Sequence, residues 1–115
     1  MRKNSHLEQR FEHVISVHQL PEPVREYTFY GYRYDFAWPQ LKIAVEIDGG
    51  TFSGGNHVRG VGYSRDCRKN NLAQSEGWIV LRADRTILFE KEFVQIVKKI
   101  IVMRINQCTT ARRPW

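Results

Sequence analysis

The sequence contains little cysteine and no long apolar run. Its two cysteines, Cys67 and Cys108, lie far apart and form no CxxC pair, so we expect neither a zinc knuckle nor a disulfide framework. Unpaired thiols are typical of a reducing compartment, which predicts a cytoplasmic protein. Residues 1–10 are mostly polar, and the longest aliphatic run, residues 100–103, is far too short to cross a bilayer. We therefore expect no membrane partner.

Several catalytic motifs are also missing. The four histidines, at positions 6, 13, 18 and 57, form neither HxH nor HxxxH, whereas zinc sites favour histidine and cysteine ligands. The glycine-rich stretch after Asp48 has no Lys-Ser or Lys-Thr pair and matches neither the phosphate-binding loop nor the dinucleotide pattern. No motif supports a serine nucleophile. These absences argue against zinc enzymes, nucleotide-dependent enzymes and serine hydrolases.

Positive charge is in surplus. The chain has 115 residues and a net charge of +6, which fits one domain over residues 1–115 with one core. An excess of Lys and Arg favours an anionic partner, and nucleic acid is the commonest one. The alternative is that many small basic domains bind nothing in particular.

The apolar periodicity predicts an α/β (α+β) fold with one mixed sheet. The predicted elements are a helix over residues 5–20, strands over 24–30, 32–38 and 41–47, a helix over 64–76, a strand over 78–82 and a helix over 88–106. Ser5 and Glu8 fit a capping box, and Gly31 divides an aromatic hairpin. Ser64 is the predicted N-cap of the second helix, and Gly77 ends it. The approach to the fourth strand through a helix favours a parallel pairing.

The remaining segments are predicted to be irregular. Residues 48–62 contain six glycines and predict a flexible loop, and residues 107–115 predict a frayed basic tail. The last helix is expected to pack through an apolar stripe. That stripe consists of Phe89, Phe93, Ile96, Val97, Ile100 and Met103.

Three acids stand among strand-forming residues, and they predict a cation site. Glu46 and Asp48 are two apart, so they share one face of the third strand, and Asp35 comes from a neighbouring strand. Buried carboxylates need a positive partner, and Mg²⁺ takes such oxygen ligands, with Mn²⁺ as a substitute. Asp48 is a further candidate ligand, and a nearby lysine would neutralise charge that develops on a phosphate.

Each of these residues also has a plainer interpretation. Asp35 could pair with Arg33, and Asp48 before a glycine is a common turn signature. Lys69 could be solvated or could pair with Asp66, and His57 could be a solvated loop residue rather than a phosphate contact or general base.

A set of short motifs along the chain carries a family resemblance. They are Glu8, Arg33-Tyr34-Asp35-Phe36, Glu46-Ile47-Asp48-Gly49-Gly50, His57, Asp66-Cys67-Arg68-Lys69 and Gly77-Trp78. In this order they resemble the PD-(D/E)XK nuclease superfamily, and especially small phage and prophage endonuclease-like domains related to the very-short-patch-repair endonuclease. The likeness covers roughly residues 5–82, to which the helix near 88–106 and the basic tail are added.

The resemblance implies a restriction-endonuclease-like α-β-β-β-α-β core and a Mg²⁺-dependent endodeoxyribonuclease. The substrates that such an enzyme would take include a junction, a flap or a mismatch. The implied catalytic residues are Asp35, Glu46, Asp48, Lys69, His57 and Glu8, with Asp35, Glu46 and Ile47 holding the metal. The implied DNA-binding residues are Arg33, Arg59, Arg65, Arg68 and Lys69. Because so short a chain offers little surface, we expect a homodimer or recognition of DNA shape.

The sequence departs from the superfamily at one position. The usual motif ends in lysine, but position 48 is aspartate, and Lys69 on the next helix is the natural substitute. If no group assists at the phosphate, the chain would be an inactive nuclease-fold module that only binds DNA. A basic protein-interaction domain, such as a toxin or antitoxin partner, is a third interpretation, against which the clustered acids argue.

Overall fold

The computed structural model describes residues 6–48 and 61–111, and within them a four-stranded mixed sheet is flanked by helices. The elements are α1 (His6–Val17), β1 (Val24–Phe29), β2 (Tyr32–Trp38), a 3₁₀ turn (Pro39–Leu41), β3 (Ile43–Asp48), α2 (Val61–Ser75), β4 (Ile79–Asp84), α3 (Arg85–Leu88) and α4 (Lys91–Ala111). The strand order is β1-β2-β3-β4. The first three strands are antiparallel, and β4 is parallel to β3. The predicted fold class is thus confirmed.

The hairpin between β1 and β2 turns at the predicted Gly31, and Tyr30, predicted as the end of the first strand, belongs to the turn. Both residues have positive φ, 52° for Tyr30 and 81° for Gly31, which is the type I′ geometry that matches the twist of a hairpin. Glycine adopts this conformation freely, whereas tyrosine does so only at a cost.

Two helices end in the same hydrogen-bonded motif. At the end of α1 the Leu20 amide donates to the Ile15 carbonyl, and Gln19 has φ 53°. The predicted end at residue 20 is therefore wrong, because this left-handed residue stops the helix before the prolines act. At the end of α2 the Trp78 amide donates to the Ala73 carbonyl and Gly77 has φ 81°, which confirms the predicted glycine.

Some predicted boundaries in the middle of the chain are wrong. α2 begins at Val61, so Ser64 lies inside the helix rather than at its N-cap; a cap is worth only about 1 kcal/mol, which an extra turn can override. β3 begins at Ile43, because Lys42 has φ 55° and closes the preceding 3₁₀ turn. Asp48 belongs to β3 rather than to the predicted loop, and residues 49–60 lie outside the described ranges.

The C-terminal part differs most from the prediction. The Asp84 carboxylate accepts the Ile87 amide at 2.9 Å and starts the short α3, so Phe89 precedes the long helix instead of belonging to it. α4 continues to Ala111, so residues 107–111 are helical rather than frayed. Its buried face consists of Phe93, Val94, Val97 and Ile101, with Ile100 partly buried. The predicted stripe residues Phe89, Ile96 and Met103 are exposed.

Each face of the sheet has its own apolar cluster. α1 and α4 cover one face, where Phe11, Phe36 and Trp38 meet. α2 covers the other, where Tyr34 and Trp78 pack with three alanines. Trp38 and Trp78 are buried. No helix within the described ranges is both long and apolar enough to traverse a bilayer.

Replacing Phe11 by Ala is expected to lower the free energy of unfolding by about 3–5 kcal/mol. Phe11 is fully buried, and its ring lies 4.9 Å from the Phe36 ring and 6.3 Å from the Phe93 ring, measured between centroids. Urea denaturation measures the change. Val17→Ala, on the same helix but exposed, is the control and should cost less than about 0.5 kcal/mol; equal losses would contradict this packing.

Candidate active site

Asp35 occupies an irregular position in β2. The pairs Arg25–Phe36 and Tyr27–Tyr34 flank it, and Glu26, which would lie opposite, has φ 50°. As a result Phe36 and Tyr34, although two residues apart, belong to clusters on opposite faces of the sheet. Backbone irregularities of this kind concentrate at functional sites. The buried Asp35 carboxylate accepts the Ile47 amide at 2.7 Å and so bridges β2 to β3.

We call Asp35, Glu46 and Ile47 the strand fork, because regular pairing of β2 with β3 stops beside them. The last pair is Phe36–Val45, and one further step of this register places Asp35 opposite Glu46. In an extended strand the N–H and C=O of one residue point to the same neighbouring strand. The Ile47 carbonyl therefore lies on the same side of β3 as Asp35, to which the Ile47 amide is bonded.

Lys69 of α2 reaches the strand fork. Its ammonium lies 2.7 Å from Glu46 Oε1, donates to the Arg33 carbonyl at 2.7 Å and sits 4.3 Å from the centre of the Tyr34 ring. Burial raises the pKa of Glu46 above its usual value, the Lys69 ion pair opposes this rise, and Asp35 adds to it. Burial and the Glu46 carboxylate raise the pKa of Tyr34 to about 12. The structure thus brings together Asp35, Glu46 and Lys69, which the sequence placed on three separate elements.

Arg82 joins two acids at the end of β4. Its guanidinium bonds Asp48 through Nε and Nη2, at 3.2 and 3.0 Å, and Asp66 through Nη1 at 2.8 Å. It also lies beside Glu46 in the parallel register of β3 and β4. Sequence reasoning missed Arg82, although a charged residue that interrupts an apolar strand was a usable signal. Asp66 pairs with Arg82. Lys69, which the sequence offered as another partner for Asp66, pairs with Glu46 instead.

Comparisons with known proteins add one likeness of fold. No protein-family model matches the chain, and no curated protein matches it. Among solved structures, the catalytic domain of the homing endonuclease I-Bth0305I is similar, with a TM-score of 0.69 and 20% identity. The likeness covers 88% of this chain and 98% of that domain. At this identity the likeness shows a shared fold.

The other predicted site residues fall into three groups. Glu8 is buried on α1 and pairs with Arg25 at 2.9 Å, and Arg25 also bonds Glu12. Arg33, Arg65 and Arg68 are exposed, and the Arg65 guanidinium lies 4.9 Å from the centre of the Tyr32 ring. The third group, His57 and Arg59, lies outside the described residues.

The strand fork contains two oxygen donors of the kind that a divalent cation takes. Among residues 6–48 and 61–111, no three His, Cys, Asp or Glu side chains are grouped as a metal site, but Mg²⁺ commonly binds through one or two carboxylates with waters and phosphate oxygens. Asp35 and Glu46 supply two hard oxygen donors that interact electrostatically. The Lys69 ammonium on Glu46 shows that this carboxylate already takes a cationic partner.

Proposed function

We propose that the chain is a metal-dependent endodeoxyribonuclease that hydrolyses DNA phosphodiester bonds. The carrying observation is the strand fork, where the Asp35 carboxylate is bonded to the Ile47 amide and the neighbouring Glu46 carboxylate meets the Lys69 ammonium from α2. In this proposal Lys69 takes the place of the lysine that position 48 lacks. The likeness of fold to a homing endonuclease catalytic domain supports the same reaction class.

In this proposal each residue has a distinct role. Asp35, Glu46 and the Ile47 carbonyl would hold Mg²⁺, or Mn²⁺ in its place. A bound divalent ion polarises phosphoryl oxygens and lowers the pKa of water. Lys69, fixed by its three contacts, would neutralise charge on the phosphate or orient the attacking water. Asp48 would be held by Arg82, and His57 and Glu8 are kept as proposed assisting residues.

The exposed arginines would hold the DNA backbone. Arg33 lies on β2 beside the site, and Arg65 and Arg68 project from α2, the helix that carries Lys69. Cations in this position attract phosphates through charge, which makes affinity fall with salt. The proposal also includes Arg59 as a DNA contact and a homodimer as the binding unit. Both of these rest on the sequence alone.

An inactive module that binds DNA without cutting is the second candidate. The observation that favours it is that the charged groups near the strand fork are already paired, Lys69 with Glu46 and Arg82 with Asp48. Ion pairs that already satisfy one another could serve to stabilise the fold rather than to bind a metal.

Incubation with labelled linear, nicked, flapped and four-way-junction DNA tests the proposal. The proposed nuclease cuts at least one of these substrates when Mg²⁺ or Mn²⁺ is present, and the preferred one identifies the substrate class. Salt-sensitive binding of these DNAs without any cutting would support the inactive module instead.

Mg²⁺ is expected to raise the melting temperature of the chain. At about 100 times its dissociation constant, an ion that binds the folded state adds about 2.7 kcal/mol, which corresponds to roughly 10 °C for a domain of this size. Thermal melting with and without Mg²⁺ measures the shift. Asp35→Asn should remove most of it, while Glu76→Gln, an exposed acid on another part of the surface, should keep it. An equal shift in all three proteins would contradict the site.

A further inference from the structure

The tip of the β1–β2 hairpin carries an aromatic side chain in an unfavourable place. Tyr30 has φ 52° and is 68% exposed. The first central position of a type I′ turn favours asparagine, aspartate or glycine, and a bulky residue with positive φ is an outlier. Asparagine would fit this turn with less strain, so a largely exposed aromatic ring here points to a use outside the fold.

A row of ring contacts connects this tip to the proposed active site. The Tyr30 and Phe29 rings meet edge to face at 4.6 Å, and Phe29 lies 5.1 Å from Trp78. Trp78 is stacked on Tyr34 at 6.4 Å, and the Lys69 ammonium lies over Tyr34. Tyr30 is therefore on the α2 side of the sheet, the side that carries the Glu46–Lys69 pair.

Positive charge flanks the same tip. On the α2 side the exposed Arg65 is held over the ring of Tyr32, and the exposed Arg33 follows three residues along the chain from Tyr30, on the other face by strand alternation. Proteins that bind unpaired DNA combine exposed aromatic rings, on which bases stack, with cations that follow the backbone. A fully paired duplex offers few base faces to such a ring, because its bases are stacked on each other.

We propose that Tyr30 is a stacking platform for an unpaired DNA base, so that the chain prefers DNA with unpaired bases close to the bond it cuts. This inference rests on the proposed nuclease function and names its substrate class. Tyr30 and Asp35 are five positions apart along the chain, about 16 Å at 3.3 Å per residue. A strand of DNA covers this distance in about five nucleotides, so cutting is expected within that range of the unpaired base.

Tyr30→Asn separates stacking from folding, because Asn-Gly is the favoured pair for a type I′ turn. We expect the melting temperature to stay within about 2 °C of the wild type or to rise. Affinity for a duplex with a single-stranded flap should fall roughly fivefold or more, while affinity for the same duplex without the flap stays within about twofold. Fluorescence anisotropy in chelator measures both affinities without cleavage.

Two further variants complete the test. Tyr30→Phe keeps the ring and should keep the preference for the flap, and Phe89→Ala removes an exposed ring elsewhere and should change neither affinity. Equal losses for both DNAs in Tyr30→Asn, or an unchanged preference, would overturn the inference. If the chain never cuts but still prefers the flap through Tyr30, only the proposed nuclease function is refuted. If the chain does not bind DNA at all, both proposals are refuted.

Discussion

Asp35→Asn is expected to reduce DNA cleavage about a thousandfold or more while the chain stays folded. The asparagine oxygen can still accept the Ile47 amide that Asp35 accepts at 2.7 Å, so the bridge between β2 and β3 survives. What is lost is the charge that would hold a divalent ion, and with it the activation of water and phosphate. Glu46→Gln should have a similar effect. Initial cleavage rates at saturating Mg²⁺ measure both losses.

DNA binding should behave in the opposite way in the same variants. Removing a negative charge beside the bound phosphate leaves affinity unchanged or strengthens it, because the carboxylate repels the phosphate. Glu90→Gln, an exposed acid near the start of α4, is the matched control and should cut like the wild type. Cleavage and binding that fall by the same factor in Asp35→Asn would place this residue in DNA binding and count against metal ligation.

Lys69→Met is expected to reduce cleavage about a hundredfold or more. The ammonium contacts Glu46 and the Arg33 carbonyl, both at 2.7 Å, so it is fixed beside the proposed metal site. Removing a positioned donor from a site that stabilises developing charge costs about a hundred- to a thousandfold in comparable enzymes. Methionine is unbranched and nearly as long as lysine, but it carries no charge and donates no hydrogen bond. Single-turnover rates under saturating protein separate this effect from weaker binding.

The same substitution also leaves Glu46 without its cation, which lowers stability. The double variant Glu46→Gln with Lys69→Met removes both charges and is expected to melt above Lys69→Met while remaining inactive. Lys99→Met, an exposed lysine on α4, controls for the loss of one positive charge. If Lys69→Met cuts at the wild-type rate, the lysine is a structural partner of Glu46, and another group must replace the missing motif residue.

Much of the fold could be predicted because local chemistry determines it. Gly31 in the hairpin turn and Gly77 after α2 both have a left-handed backbone, which glycine adopts freely. The spacing of Glu46 and Asp48, together with Asp35 on a neighbouring strand, predicted adjacent acids. Asp35 does lie against the end of β3 that carries Glu46, because its carboxylate accepts the Ile47 amide.

The rest depends on tertiary contacts that no local pattern encodes. Ile96 and Met103 have the helical spacing of a core stripe, yet α4 is oriented so that Val94 and Ile101 are buried in their place. The irregularity at Glu26 and Asp35, which turns Tyr34 to the other face, arises from the pairing of two strands. The reach of Lys69 to Glu46 and of Arg82 to Asp48 depends on how α2 and β4 lie against β3.

The central claim is that the strand fork holds a divalent ion that the chain needs to cut DNA. The most direct test follows cleavage of one labelled DNA substrate by the wild type and by Asp35→Asn, in Mg²⁺, in chelator, and after excess Mg²⁺ is added to the chelated sample. The account predicts cutting by the wild type in Mg²⁺, none in chelator, recovery with excess metal, and almost none by Asp35→Asn throughout. Cutting that persists in chelator, or that Asp35→Asn retains, would contradict it.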